Sequence, residues 1–483
     1  MDTEMTNQFF RSFIHIKSVE SSHHISDIGN SVVLNNICIT FSDDFNQLFI
    51  KNNANNTLGT IIGNPIRGNA FLCSDVFADV QNWDDFEALI FSLSGRYIVA
   101  GVLNKESRLY LDASGSLPIV YDPAKEVASS SPQLILEEEY ETKLDTRLMH
   151  QLGMPKSGLW IPSGLTAHKG VYRVIPNHFL DLEKWIINRH WPSQEIKKTS
   201  GTDKLVNAIA SSVKNTCSAV AKSHKPLFSI TAGRDSRMLL ACVRHLTKKS
   251  EFFTFKKFPG NVDTYYADKI SKEYKLDHKF LKVDKPHKKQ QEQWLKWNGH
   301  CISGGIWKVQ HSLQFFKGNY AVMPAMAGEV GRSFYWKKDD RATQTLTASE
   351  MLNRLKLPHT EALLEASKNY VEGLPDIDFF SLLDLIYIEQ RLGCWGNLST
   401  YTGNYYHPHY LPLSSREIFT SMMSLPSTYR LEQRLCLDLI KKEWPELFKY
   451  PFNEYQGLAK LKKVLDYSFL LPSYIYRKIL TSS

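Results

Sequence analysis

The sequence predicts an α/β protein in two parts, a mostly β part over residues 1–195 and an α/β part with a parallel sheet over 196–483. Three observations lead there. Short β-favouring runs crowd the first part, a polar stretch (PSQEIKKTSGTD, 192–203) interrupts the chain, and beyond it strand-like and helix-like segments alternate. The early runs are FIHI, SVVLNNICITF, RYIVAGVL, RLYLDA and LPIVY, set apart by Asn, Gly, Ser and Asp clusters that favour turns. The second part opens on KLVNAIASSVKNTCSAVAKS, whose apolar residues recur at the three- and four-residue intervals of an amphipathic helix. PLFSI then precedes RMLLACVRHL, EFFTF precedes DTYYADKISKEYKL, and HKFLKV and NYAVMPA follow. That order favours parallel strands joined by helices across the sheet faces. The rest is dominated by helical patterns with interspersed Trp and Tyr, without internal repeats.

Composition narrows the function classes. A chain of 483 residues, 43% hydrophobic and 22% charged, is long enough for more than one core. The net charge of +8, from 58 basic against 50 acidic side chains, is a mild excess. It hints at anionic ligands and excludes a polybasic nucleic-acid footprint. Seven cysteines stand singly, without CxxC pairs, which fits a reduced compartment. The start, MDTEMTNQFFRSF, has no basic segment followed by an apolar one, and no long apolar run occurs, so a soluble cytoplasmic protein is expected. The basic, aromatic tail GLAKLKKVLDYSFLLPSYIYRKILTSS reads as an amphipathic packing segment rather than a membrane contact.

The stretch PLFSITAGRDSRMLLA (226–241) carries the chemistry. In an open α/β sheet ligands sit outside the carboxyl ends of the strands, so the turn after PLFSI faces the expected pocket. Gly233 permits close backbone approach, and the following helix N-terminus offers N–H groups to an anion. Ser229, Thr231, Ala232, Gly233 and Ser236 would line a polyphosphate, Arg234 and Arg237 would neutralise it, and Asp235 could hold a magnesium ion on it. The alternative is that Asp235 and Ser236 only cap a helix whose arginines are solvated.

Thr231–Ser236 resembles the SGGxDS pyrophosphate loop of the asparagine synthetase family, with Thr and Ala for the first Ser and second Gly. Asp263 and Ala267 follow the next strand-like run as the family pattern has them. Upstream, Gly95, Arg96, Asp112, Gly115, Pro118 and Tyr121 are similar to the family's glutamine amidotransferase half, with Leu111 in place of an arginine, and Thr166, Pro176 and His178 match its linking segment. The resemblance implies an amidotransferase-like (Ntn-type) sandwich followed by an ATP pyrophosphatase domain. It also implies an ATP- and Mg2+-dependent amide synthetase that adenylates a small-molecule or peptide carboxylate and passes it to an amine or ammonia.

Departures from that pattern modify the expectation. Residue 2 is Asp2 where the family's glutaminase has its nucleophilic cysteine, so glutamine hydrolysis is not expected. Ammonia would come from a separate glutaminase or an amine from the substrate, as in the β-lactam synthetases and lasso peptide cyclases. AGEVGRS (327–333) corresponds to the family's SGEGxDE: Gly328 and Glu329 match, but Arg332 replaces the second metal aspartate and could contact phosphate itself. Tyr387 and Glu389, with Arg391, lie in DLIYIEQRLGCWGN, where the resemblance makes one of the two a base for the amine; their spacing puts them on different helix faces. Lys449, Arg430 and Arg434 are candidates for the family's late catalytic lysine. The rival reading is an inactive homologue that acts as a binding or scaffold protein.

Overall fold

A computed structural model describes residues 13–18, 29–256, 261–302 and 305–456. The sequence readings on the first residues and on the tail from 457 lie outside them.

The first part is two sheets face to face. One has six antiparallel strands in the order Tyr172–Val174, Ile119–Asp122, Val127–Ser129, Ile14–Ser18, Ile37–Phe41, Asn30–Leu34. The other is ordered Ile186–Arg189, His178–Asp181, Glu106–Leu111, Ser94–Leu103, Thr57–Arg67, Asn46–Lys51, Val76–Phe77, with Ala70–Phe71 paired beside Thr57–Arg67. Ile14, Ile39 and Ile119 of the first sheet share a core with Ile62, Ile98 and Leu109 of the second. The near-continuous apolar run RYIVAGVL has a simple cause. Ile98 and Ala100 face the opposite sheet, while Tyr97 and Val99 face the helix Trp83–Phe91 through Phe86 and Ile90, so both faces of this strand are buried.

After Arg189 the next regular element is the helix Thr202–Ser223, and a four-stranded parallel sheet follows. Its order is His278–Lys282, Glu251–Lys256, Lys225–Ser229, Tyr320–Val322. The chain steps outward from Lys225–Ser229 to one edge and then returns to pair Tyr320–Val322 on its other side, with Leu227 opposite both Glu251 and Val322. The strand order therefore reverses between Lys225–Ser229 and Tyr320–Val322, and the segments leaving their carboxyl ends flank one crevice. Those segments are 230–236 and 323–333.

The parts are knit together. Residues 144–175, which the sequence break assigns to the first part, contribute Leu148, Trp160 and Ile161 to a core shared with Met351, Leu383 and Leu398. A buried ion pair, Arg189 with Glu389, ties the last strand of the first part to the helical segment Ile386–Gly396. Among the described residues no helix is long and apolar enough to cross a membrane.

Candidate active site

The turn after Lys225–Ser229 is organised by its own side chains. The Thr231 and Ser236 hydroxyls lie 2.7 Å apart, the Thr231 N–H donates to Ser236 Oγ at 3.2 Å, and the Gly233 N–H donates to Thr231 Oγ1 at 3.1 Å. The Ala232 N–H donates to Asp263 Oδ1 at 2.9 Å, and Asp263 is itself fixed in the first turn of the helix Val262–Glu273, which Asn261 caps. Thr231 thus does for the turn what a serine hydroxyl would. Gly233 is the N-cap of the nine-residue helix Arg234–Cys242, and no side chain caps it. The N–H groups of its first turn remain the site's donors toward the crevice.

Asp235 and Arg332 meet across the crevice. Arg332 Nε donates to Asp235 Oδ1 and Nη2 lies against Oδ2, both at 3.0 Å, a two-point fork. The same Nη2 is 3.6 Å from Glu329 Oε1. Arg332 is aimed there by a tight 3-10 turn, Gly328–Arg332, whose flanking residues Ala327 and Ser333 have left-handed φ of 78° and 58°. Gly328 keeps the approach close, since a Cβ there would lie 3.0 Å from the end of the Met238 side chain and 3.2 Å from Leu413. Burial, and next the charge of Asp235, push the Glu329 carboxyl above its ordinary range against the opposing effects of Tyr387 and Arg332. Burial pushes the Tyr387 phenol well up, helped by Glu329. Cys436, 3.7 Å from Asp235 Oδ1, has its thiol raised mainly by burial.

Thr231, Ala232, Gly233, Arg234, Asp235 and Ser236 lie in the turn and the helix start after it, with Gly328, Glu329, Arg332 and Tyr387 across from them, while Ser229 ends the strand before the turn, paired with Phe253. Tyr387 is partnered by Glu329, not by Glu389. Arg234 is half-buried, with Nη1 donating to Gln433 Oε1 at 2.6 Å and the ring of Phe452 5.7 Å away. Gln433, Phe334 and Cys436 at this site carried no local sequence signal, since they reach it only through tertiary packing.

Three expected residues have other work. Arg237 is completely buried and donates to the carbonyls of Tyr450, Pro451 and Ala232, the last at 2.7 Å, beneath the ring of Phe452. It holds the turn from behind instead of facing a pyrophosphate. Glu389 is fully buried between the two parts, held by Arg189 at 2.6 and 2.8 Å, Asn177 at 2.6 Å and the Tyr370 hydroxyl at 2.7 Å, so it has no oxygen free to act as a base. Lys449 points to the surface and pairs with Glu273 at 2.8 Å. Of the alternatives, Arg430 is buried against Asp384 at 2.6 Å, and Arg434 lies 3.9 Å from Asp438 on an exposed helix face. Lys449→Ala should leave the thermal unfolding midpoint and nucleotide binding where they are, because exposed pairs add little. A loss of binding with the fold intact would return Lys449 to the site.

Magnesium at Asp235 was expected from the resemblance. The donor set does not fit a resident ion. Both Asp235 oxygens are occupied by a guanidinium, so the carboxylate presents no free oxygen to an ion.

No family model and no curated protein matches the chain. Among solved structures, a match is glutamine phosphoribosylpyrophosphate (PRPP) amidotransferase from B. subtilis complexed with ADP and GMP. It is 9% identical with a TM-score of 0.22, covering 76% of this chain and 88% of that one. Another, described as the allosteric regulatory enzyme of purine biosynthesis, is 9% identical with a TM-score of 0.22, covering 72% of this chain and 73% of that one. At that TM-score neither superposition defines a shared fold, and the architecture stands on the strand order above.

Proposed function

We propose that the chain is an ATP-dependent amide synthetase that forms AMP and pyrophosphate, the turn 231–236 receiving the nucleotide's phosphates. The observation that carries this reading is the helix Arg234–Cys242, whose N-terminus no side chain caps, opening at the reversal point of a parallel sheet with two arginines, Arg234 and Arg332, at its mouth. An oxygen of the substrate carboxylate would attack the α-phosphorus and pyrophosphate would leave. An amine would then attack the acyl carbon of the adenylate, releasing AMP and a proton. Negative charge on the departing pyrophosphate is the main electrostatic demand, and preorganised N–H and guanidinium donors are suited to it. The carboxylate is a small molecule, a peptide or a sugar acid, and the nitrogen comes from a substrate amine, from ammonia or from a separate glutaminase.

One observation favours a second reading, a non-catalytic homologue that serves as a binding or scaffold protein. The N–H groups of Thr231, Ala232 and Gly233 are already satisfied within the protein, and Asp235 is tied to Arg332. Calorimetric titration with ATP, followed by ATP–pyrophosphate exchange with a pool of carboxylic acids and an Arg234→Ala control, separates the two. Exchange that depends on one acid and is lost in the control supports the synthetase. Absence of any ATP binding overturns it and leaves the scaffold.

A further inference from the structure

We infer that the Asp235–Arg332 pair stands where a divalent cation would otherwise sit, so that the site takes its nucleotide as a metal-free polyanion. This rests on the nucleotide reading above and specifies the ionic form of the ligand.

Geometry carries it. A magnesium ion needs near-octahedral oxygen ligands at roughly 2.0–2.1 Å, and calcium takes six to eight oxygens at about 2.3–2.6 Å. Each Asp235 oxygen instead has a guanidinium nitrogen at 3.0 Å, so an ion bound there would face a fixed positive charge across its own ligands. Arg332 is placed there by its backbone turn and by its pairing with Asp235. The turn that carries it is closed at both ends by left-handed residues, and the Phe334 ring lies 5.4 Å from the guanidinium centre. Gly331 packs against Leu435 and Met422 closely enough that a Cβ there would make the Leu435 side chain shift. Arg332 is three-quarters shielded from solvent, as is Asp235, so parting them would strand two poorly hydrated charges.

Arg332 still has capacity. Nε and Nη2 serve Asp235, whereas Nη1 takes no part in the fork; Arg234 likewise commits only Nη1, to Gln433. Arg234 opens the helix Arg234–Cys242, and Arg332 meets that helix's first turn at Asp235. A guanidinium held by a carboxylate and turned toward a phosphate is a rigid, permanently charged substitute for a metal ion. Glu329 lies on its other side, 3.6 Å from Nη2.

The test uses the full chain, with Mn2+ alone followed by electron paramagnetic resonance, and ATP followed by calorimetry in EDTA and in excess Mg2+. Wild type is expected to leave Mn2+ free and to bind ATP in EDTA at least as tightly as with Mg2+. Arg332→Asp should acquire a Mn2+ site and make ATP binding metal-dependent by roughly tenfold or more, having restored an all-oxygen donor set. Arg332→Lys, which keeps the charge but cannot fork, should still leave Mn2+ free. Mn2+ bound by wild type and released in Asp235→Ala, or wild-type ATP affinity falling about tenfold in EDTA, overturns the inference. Should Arg332→Asp fail to fold, the wild-type arms decide alone. Wild type that binds ATP under neither condition overturns the nucleotide reading itself, an outcome distinct from metal-dependent binding.

Discussion

Glu389→Ala should lower the unfolding free energy by about 3–5 kcal/mol, the usual consequence of removing one member of a buried, hydrogen-bonded ion pair. Glu389 is inaccessible to solvent, and its removal leaves the Arg189 guanidinium, 13% exposed, without a counterion. The donors on Asn177 and Tyr370 lose their acceptor at the same time. The loss is measured by urea denaturation at neutral pH, and a change below about 1 kcal/mol would mean that the pair does not hold the two parts together. The effect carries a pH signature. Burial raises the carboxyl, but the charge and hydrogen bonds of Arg189, with Asn177, outweigh it, and the net displacement is downward. A carboxyl whose folded pKa lies below its unfolded value contributes stability that is full above the unfolded value, about 4.3, and is lost as pH falls through the folded one. Wild type and Glu389→Ala should therefore differ fully at pH 6–7 and converge in the acid range, and a gap that widens on acidification would contradict the assignment.

Arg237→Ala should destabilise the chain by about 3 kcal/mol or more, since the Tyr450 and Pro451 carbonyls lose their guanidinium donor, the Ala232 carbonyl keeps only the Asn453 N–H, and the space beneath Phe452 empties. Burial alone pulls this guanidinium down to about 10, still far above neutrality, so it is a buried cation whose compensation is carbonyl oxygen. Its neighbour gives the contrast. Arg234→Ala removes a half-buried side chain with one side-chain hydrogen bond, and should change stability by less than about 1 kcal/mol while weakening ATP binding clearly. Paired measurements of chemical denaturation and calorimetric affinity separate an arginine that builds the turn from one that meets the ligand. Arg237→Ala with unchanged stability would refute that division.

The local patterns read well because they are governed by nearby residues. The β-favouring run RLYLDA and the strand, turn, helix order around residues 226–282 depend on side chains within a few positions, and the structure has strands and helices there. The turn at 231–236 was visible for the same reason. What misled was chemistry that depends on partners far along the chain. Two arginines three residues apart looked equivalent, and only the 450–452 segment behind Arg237 distinguishes them. Tyr387 and Glu389 were correctly placed on different helix faces, yet nothing in DLIYIEQRLGCWGN says that one face meets Glu329 and the other meets Arg189. The partner of Asp235 was hidden for the same reason, because the guanidinium that pairs with it comes from almost a hundred residues downstream.

The core formed by Leu148, Trp160 and Ile161 with Met351, Leu383 and Leu398 has a consequence for how the chain can be divided. The sequence changes character near 195, where an engineer would cut, but a fragment beginning there would lose part of its own interior and the guanidinium that neutralises Glu389. The part that follows residue 195 is therefore not a portable module. Gene-level separation, fusion to a new partner or deletion of the leading half would each have to replace the 144–175 segment first.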